Sequence, residues 1–336
     1  IPIITTFEEI LGIKSILIGF GIDGGATHSG LVLFDAQTKD RLLTLDGGPS
    51  NPHSAGMDKA WRNIKTLIKQ GLETLHLSED RLACGCLAAA GMGRESEQAA
   101  FAAFFSAWLP CPVKVCTDAE ALLAGSLDSL HGYALIAGTG SMALGRDKGG
   151  RLVRAGGLGH MLGDEGSASW LGWQAVRRAL KSSEQRDLST DLLPALQEHF
   201  GLSSPQGFVD WFHQQFDKSK VAAAAPLVLS AAARQDPLAV DVVRQAARAL
   251  YGLIQSVMRR LPLDACQLAL GGGLLERDNL LRRQLLEMVS AGIPKAGIVY
   301  AKAGDAAWGA CLLALDALEN RPLSKEYTDF NERGSA

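Results

Sequence analysis

Residues 16–48 have the sequence ILIGFGIDGGATHSGLVLFDAQTKDRLLTLDGG, in which three short apolar runs are separated by turn residues. The first run is rich in β-branched residues and ends in glycines. Short apolar runs that are bounded by turn residues are typical of strands joined by hairpins. We therefore predict an antiparallel meander of three strands at this point of the chain.

Helices and strands are predicted to alternate after this meander. The segment SAGMDKAWRNIKTLIKQGLETLHL has the spacing of a long amphipathic helix, and its apolar face carries Trp61, Ile64, Leu67 and Ile68. RLACGCLAAAG and PVKVCTD are predicted strands, and each is followed by a predicted helix, SEQAAFAAFFSAWL and AEALLAGSLDSL. The first third of the chain thus has the predicted order βββαβαβα.

The meander pattern starts again near the middle of the chain. Three further glycine-bounded runs, YALIAGTG, SMALGRD and RLVRAGG, are followed by helical patterns. One of these helices is predicted to have Asp236 as its N-cap and Pro237 as its first residue. Two halves that each begin with a meander predict a duplicated α/β architecture with a nucleotide cleft between the halves.

The length of 336 residues also favours two domains, because a single hydrophobic core rarely grows this large. We predict four segments. They are an accessory or non-native N-terminal segment (1–14), an N-terminal domain (15–129), a C-terminal domain (130–320) and a tail (321–336).

The composition indicates a globular cytoplasmic protein. The formal net charge of -3 provides no basic field for nucleic acid or an anionic membrane surface. No apolar stretch has the length of a membrane span, and residues 1–14 lack the features of a signal peptide. The six cysteines include no CxxC pair, so we expect free thiols in a reducing compartment. The sequence does not determine the oligomeric state, and a homodimer is left open.

The turn after the first predicted strand has features of a phosphate-binding site. Gly24 and Gly25 would let backbone N–H groups approach phosphate oxygens, and Thr27 and Ser29 add hydroxyl donors. Asp23 is placed to hold Mg²⁺ through its waters. An ordinary hairpin turn is the alternative, and the GxxxxGK[ST] phosphate loop is absent.

Two further glycine loops favour nucleotide binding. Gly138, Thr139, Gly140 and Ser141 form a second turn between strands, which could hold phosphates together with the first turn. The loop Gly271-Gly272-Gly273 lies between a predicted strand and a helix, where a surface without side chains would suit adenine or ribose. A loop without a ligand is the alternative in both cases.

Asp118 is the candidate catalytic residue. It lies at the end of a predicted strand, where α/β proteins place catalytic groups, and it could accept the proton of a sugar hydroxyl that attacks the γ-phosphate. It could instead be an N-cap, because Asp is favoured at that position. The loop GGLGHMLGDEGS (156–167) is also unusual, because five glycines and two acids within a dozen residues are costly to order without a task. In that loop, His160 is more readily explained as a structural donor.

Taken together, these segments resemble the eukaryotic-type N-acetylglucosamine kinases and their bacterial relatives. These belong to the BadF/BadG/BcrA/BcrD ATPase-like branch of the sugar kinase–Hsp70–actin superfamily. The resemblance is carried by GIDGGATHS, CTDAEALLAGS, IAGTGS, GGLGHMLGDEGSASWLGWQAV and LALGGGL, and it spans most of residues 16–318. It implies a two-domain actin-like ATPase (ribonuclease H-like) fold that closes over sugar and ATP, with phosphorylation of the C6 hydroxyl.

The resemblance also implies roles for single residues. Asp23 looks like the Mg²⁺-associated carboxylate, and Asp118 looks like the catalytic base that contacts the sugar. The implied ATP and phosphate contacts are Gly24, Gly25, Thr27, Gly138, Thr139, Gly140, Ser141, Gly271, Gly272 and Gly273. The implied sugar contacts, besides Asp118, are Asn51, Thr139, Gly140, Gly157, Leu158, Gly159 and Asp164.

Two positions depart from the family pattern, and both concern the acceptor. These kinases commonly have Trp where this chain has Leu158, and some relatives have a Ser near the position of Ala90. Glucosamine kinase is therefore the alternative activity, although the GHMLGDEG loop favours the acetylated sugar.

Two functions of other classes are also open. An ATPase activator of a radical dehydratase would need paired cysteines for an iron–sulfur cluster, which the spacing here does not provide. A non-catalytic sugar sensor or an actin-like assembly protein is the other. The presence of Asp23 and Asp118 argues against an inactive site, and the absence of a helix-turn-helix segment argues against a repressor.

Overall fold

The computed structural model describes residues 17–25, 28–89, 92–264, 266–302 and 304–319. The contacts divide the chain into two compact units. The described parts of unit 1 are the residues up to 125 and 306–319, and unit 2 contains 126–305. The predicted segments 1–14 and 321–336 lie outside the described residues, as do Thr27 and Ala90.

The sheet of unit 1 begins with the predicted meander. Its strands are β1 (Ile18–Gly24), β2 (Ser29–Asp35), β3 (Arg41–Gly47), β4 (Leu82–Ala89) and β5 (Val113–Cys116). They lie in the order β3-β2-β1-β4-β5. β2 is antiparallel to both β1 and β3, whereas β4 is parallel to β1 and β5 is parallel to β4. The prediction of a meander followed by α/β units is confirmed for this half.

The sheet of unit 2 repeats this arrangement. Its strands are β6 (Gly132–Ala137), β7 (Ser141–Arg146), β8 (Leu152–Gly156), β9 (Gln267–Gly271) and β10 (Gly297–Tyr300). The order is β10-β9-β6-β7-β8, again with an antiparallel meander and two parallel strands. The two sheets therefore share strand order and direction, which confirms the predicted duplication.

Twelve α-helices and one short 3₁₀ helix (Glu79–Arg81) are present in the described part of the chain. The helices before the second meander are α1 (Pro52–Ala55), α2 (Met57–Thr74), α3 (Glu95–Trp108) and α4 (Asp118–Leu127). Those after it are α5 (Ala168–Ser183), α6 (Leu192–Phe200), α7 (Gly207–Gln214), α8 (Lys218–Ala222), α9 (Ala225–Ala233), α10 (Pro237–Arg260), α11 (Leu280–Gly292) and α12 (Asp305–Glu319).

The predicted faces of the long helices form the cores. In unit 1, Ile64 and Ile68 of α2 are fully buried with Phe20 of β1, and Trp61 stacks on Phe104 of α3 at 5.1 Å between ring centroids. In unit 2, α10 buries its apolar side throughout its length. Its N-cap is Asp236, whose Oδ1 accepts a hydrogen bond from the N–H of Ala239 at 2.8 Å, as predicted.

The last helix belongs with unit 1, whereas the sequence division placed it in the C-terminal domain. α12 packs closely on β1 and α4 because glycines leave room for backbone contact. A Cβ atom on Gly21 would lie 2.5 Å from the carbonyl oxygen of Ala307, and one on Gly309 would lie 1.8 Å from that of Ala121. The first boundary also falls after Gly125 and not after residue 129.

All six cysteines carry free thiols, as predicted, and five of them are buried. Cys86 of β4 and Cys116 of β5 lie side by side, with 3.6 Å between their sulfur atoms. In the stretches between residues 17 and 319 that the structure describes, no helix combines the length and apolar composition of a membrane span.

Candidate active site

The end of β1 forms a tight turn that also anchors a second predicted site residue. The N–H of Gly25 donates to the carbonyl oxygen of His28 at 2.9 Å. The carbonyl oxygen of Gly25 accepts from the N–H groups of Ser50 and Asn51, each at 3.1 Å. The predicted phosphate turn and the predicted sugar contact Asn51 are thus joined by backbone hydrogen bonds.

Gly24 and Ser29 stabilise the fold of this turn. A Cβ atom on Gly24 would lie 2.8 Å from both the Ser50 hydroxyl and the Cβ atom of Ala89, so a residue larger than glycine would not fit here without a shift of its neighbours. The Ser29 hydroxyl is buried and donates to the carbonyl oxygen of Gly48 at 2.8 Å. The predicted use of Ser29 as a phosphate donor is therefore wrong in this conformation, because its proton is already bound.

Asp118 is the first residue of α4, and its neighbours cap the helix. The Thr117 hydroxyl accepts a hydrogen bond from the N–H of Glu120 at 3.3 Å, and the Glu120 carboxylate accepts one from the N–H of Thr117 at 3.3 Å. This reciprocal pair is a capping box. Asp118 itself accepts one bond, from the N–H of Ala119 at 2.9 Å. The alternative reading of Asp118 as the N-cap is wrong, since Thr117 occupies that position.

Asp23 and Asp118, two carboxylates of unit 1, both have raised pKa values. Burial, the nearby Asp118 carboxylate and a smaller opposing effect of His28 together raise the pKa of Asp23 to about 6. Burial also raises the pKa of Asp118, against the effect of the hydrogen bond from Ala119. Removing carboxylates from water disfavours their charged forms, and the Asp118 carboxylate further disfavours ionisation of Asp23. A cation bound here would relieve this repulsion.

We expect Asp23→Asn to stabilise the protein in the absence of ligands. The folded protein binds the Asp23 proton more tightly than the unfolded chain does, so ionised Asp23 costs stability above about pH 6. The gain should be on the order of 1–3 kcal/mol at pH 8 and should shrink between pH 6 and pH 4. Thermal unfolding at both ends of this range measures it. The exposed-site variant Glu287→Gln is the control, and an equal gain at both pH values would contradict the expectation.

The second glycine turn is bonded to the acidic loop. The N–H of Gly138 donates to the carbonyl oxygen of Gly140 at 2.9 Å, and a Cβ atom on Gly140 would lie 2.9 Å from the Asp164 carboxylate. The Ser141 N–H donates to Asp164 at 3.3 Å, and its hydroxyl donates to the carbonyl oxygen of Glu165 at 2.8 Å. Both donors of Ser141 therefore join the second glycine turn to the acidic loop, and its place among the phosphate contacts stays a prediction.

In the third glycine loop, Gly273 has free space on the side where a Cβ atom would lie. Gly271 is the last residue of β9. Gly272 has φ 88°, and a Cβ atom on it would lie 2.6 Å from the carbonyl group of Ala137, so it permits a close approach to the second turn. A Cβ atom on Gly273 would meet no described atom within 4 Å. Of the three predicted nucleotide contacts, Gly273 is the accessible one.

Asp164 is the buried carboxylate of the acidic loop. Only 3% of the residue is exposed, and its backbone is left-handed with φ 60°. Its Oδ2 atom lies 2.9 Å from the Nζ atom of Lys218, which is the second residue of an Asp-Lys-Ser-Lys run at the start of α8. Leu158 in the same loop is 60% exposed. His160 stacks on Phe216 with 5.1 Å between ring centroids.

Sequence reasoning missed Lys218 and the Thr117–Glu120 cap. Lys218 is 54 positions from Asp164 and lies in a charged run that looks like an ordinary solvated helix start. The cap had a visible signal, because Thr117 is followed three residues later by Glu120.

Among the described residues, no group of three or more His, Cys, Asp or Glu side chains is placed to hold a metal ion. Mg²⁺ usually keeps several waters and binds one or two carboxylates together with substrate phosphates. The crowded pair Asp23 and Asp118 fits such a site.

The duplicated sheets, the glycine turns and the paired carboxylates define a nucleotide-binding protein with the actin-like ATPase fold, as predicted. Residues 20–314 match the BadF/BadG/BcrA/BcrD ATPase family, and the chain belongs to this family.

Three relatives illustrate the similarity. The chain is 31% identical over 300 residues to an N-acetylmuramic acid/N-acetylglucosamine kinase of Clostridium acetobutylicum, covering 88% of this chain and 97% of the relative. It is 31% identical over 315 residues to an N-acetyl-D-glucosamine kinase of Dictyostelium discoideum, covering 89% and 98%. A Chromobacterium violaceum structure, described as that of a candidate N-acetylglucosamine kinase, superimposes with a TM-score of 0.70 at 27% identity, covering 89% and 99%.

Proposed function

We propose that the chain transfers the γ-phosphoryl group of Mg·ATP to the 6-hydroxyl of N-acetylglucosamine, giving N-acetylglucosamine 6-phosphate and ADP. The observation that carries this proposal is the state of Asp118. It is a partly buried carboxylate with a raised pKa. Its side chain does not cap α4, because Thr117 and Glu120 form the capping hydrogen bonds. The kinases at 31% identity over most of the chain support the reaction class.

Asp118 is the general base in this proposal. The sugar 6-hydroxyl would donate its proton to Asp118 as its oxygen attacks the γ-phosphorus. A general base works best when its pKa lies near the operating pH, and the burial of Asp118 moves its pKa in that direction. Phosphoryl transfer otherwise depends on position and on charge stabilisation.

Asp23 would hold Mg²⁺ through water molecules. The ion supplies positive charge that offsets the phosphate oxygens during transfer. The phosphates would lie against the two glycine turns, at Gly24, Gly25 and Thr27 and at Gly138–Ser141. Gly273 would lie against the adenosine.

The acceptor would be bound by residues of the acidic loop and of the second glycine turn, together with Asn51. Asp164 and Asn51 are the proposed polar contacts, and Thr139, Gly140, Gly157 and Gly159 contribute backbone. Leu158 would offer its exposed apolar side chain to the sugar.

An ADP-release assay with Mg·ATP tests the proposal. The acceptors are N-acetylglucosamine, glucosamine, N-acetylmannosamine, glucose and N-acetylmuramic acid, the last because it is in the name of the Clostridium relative. We expect the highest kcat/KM with N-acetylglucosamine, and NMR of the product should show phosphate on O6. A preference for glucosamine would change the assigned acceptor and leave the proposed mechanism unchanged. ADP release that no sugar stimulates would contradict the proposal.

A further inference from the structure

A small cavity lies beside Asp164, one of the proposed acceptor contacts. It has a volume of about 30 Å³, which is room for one water molecule or one methyl group. Its lining includes Asp164, Ser169, Trp170, Trp173, Phe216 and Lys218. All of these residues belong to unit 2.

One wall of the cavity is aromatic and well supported. Phe216 meets the edge of Trp173 with 5.9 Å between ring centroids, and Trp173 in turn meets Phe212 at 4.8 Å. His160 stacks on Phe216 from the acidic loop. Edge-to-face aromatic contacts of this kind stabilise one arrangement of the rings. The wall therefore offers an apolar surface of fixed shape.

The opposite side of the cavity is polar and adjoins the proposed acceptor contacts. Lys218 uses one of its three N–H donors on Asp164. The Ser169 hydroxyl donates to the carbonyl oxygen of Thr139 at 2.7 Å. Asp164 and Thr139 are both proposed sugar contacts, so the cavity adjoins the proposed position of the acceptor.

We propose that this cavity receives the acetamido group of the acceptor. The methyl group would lie against the wall formed by Trp173 and Phe216, and the carbonyl oxygen would accept a hydrogen bond from the Nζ atom of Lys218. This inference rests on the proposed function and makes Phe216 and Lys218 specificity residues for N-acylated sugars.

The residues around the cavity disfavour binding of an acceptor with a free amino group. Glucosamine would bring an ammonium group beside the Lys218 ammonium, and both oxygens of Asp164 already accept hydrogen bonds from Ser141 and Lys218. It would also leave the methyl-sized space unfilled. A missing or extra methylene in an apolar pocket changes kcat/KM roughly 10- to 200-fold.

The first test varies the acyl group. The acceptors are glucosamine and its N-acetyl, N-propanoyl and N-butanoyl derivatives, and kcat/KM is measured for the wild-type protein and for Phe216→Ala. We expect the wild type to lose at least about tenfold for each added methylene, and Phe216→Ala to recover about tenfold of the N-propanoyl loss. Phe216 is 38% exposed, so the variant should fold.

Phe212→Ala is the matched control. Phe212 packs behind Trp173 and Phe216 but does not line the cavity, so its removal should change the propanoyl-to-acetyl ratio much less than Phe216→Ala does. An equal change in both variants, or no change in Phe216→Ala, would overturn the inference.

The second test concerns Lys218. Lys218→Met should lower the ratio of kcat/KM for N-acetylglucosamine to that for glucosamine about tenfold, chiefly through the KM for the acetylated sugar, and Lys218→Arg should largely retain it. An unchanged ratio in a folded Lys218→Met protein would contradict the role of Lys218. If that variant does not fold, the acyl series alone decides.

The two proposals fail in different ways. If no sugar stimulates ADP release by the wild-type protein, the kinase function is wrong. If the wild type phosphorylates the sugars but is indifferent to acyl length, only the acetamido site is wrong.

Discussion

Asp118→Asn is expected to lower kcat for N-acetylglucosamine about 10²- to 10⁴-fold, the usual effect of losing a positioned general base. The fold should be retained, because Thr117 and Glu120 cap α4 and an Asn side chain can still accept the hydrogen bond from Ala119. Stability at pH 8 should be equal or higher, since burial disfavours the ionised form of Asp118. Steady-state kinetics and thermal unfolding of the same preparations measure both effects.

A cap variant separates catalysis from helix stability. Thr117→Ala removes the hydroxyl that accepts from Glu120, and it should cost about 1 kcal/mol of stability while leaving Asp118 in place. We expect Thr117→Ala to be less stable but active well below its unfolding temperature. If Asp118→Asn kept more than a tenth of the wild-type kcat, Asp118 would not be the general base.

Gly309→Ala should destabilise unit 1 by about 1–3 kcal/mol or more. The new methyl group would lie 1.8 Å from the carbonyl oxygen of Ala121 and 2.6 Å from the backbone nitrogen of Gly125. These are backbone atoms, so no side-chain rotation can relieve the contact and α12 must move away from α4. Urea and thermal unfolding measure the loss, and activity should fall with it because α4 begins at Asp118.

Gly252→Ala is the matched control for this variant. Gly252 lies inside α10, and a Cβ atom there would meet no described atom within 4 Å. Alanine is favoured over glycine in a helix by about 1 kcal/mol, so this variant should be at least as stable as the wild type. A Gly309→Ala protein that matched Gly252→Ala in stability would show that α12 is not packed as described.

The parts of the fold that were predictable have local signals. Both meanders were recognised because each strand is a short apolar run that ends at turn residues, and α2 and α10 were recognised because their apolar faces repeat over many turns. The helices between residues 192 and 233 were not resolved from the sequence. α8 has only five residues, and α9 is apolar on most sides, so neither shows a helical period.

No feature of the local sequence predicts which sheet α12 packs on. Its packing depends on contacts of Gly309 with α4, nearly 190 positions earlier in the chain. Sequence spacing predicts that a helix forms, but it does not predict which sheet the helix covers.

The candidate site was predictable in outline, and its residue roles were less so. Asp23, Asp118 and Asp164 are all partly or fully buried, and their roles at the site stay predictions. The hydroxyl groups of Ser29 and Ser141 looked equally suited to phosphate, yet both are bound to carbonyl oxygens. Residue type indicates what a group can donate, whereas only the fold shows which acceptor it meets.

The return of α12 to unit 1 affects the order in which the protein can fold during synthesis. Unit 2 is continuous in sequence and can fold as soon as it has left the ribosome, whereas unit 1 needs segments from both sides of it. At 5–20 residues per second, the first segment of unit 1 waits roughly 10–40 s for α12. During that time the backbone at Gly21 lacks the contact with Ala307 that covers it in the finished protein.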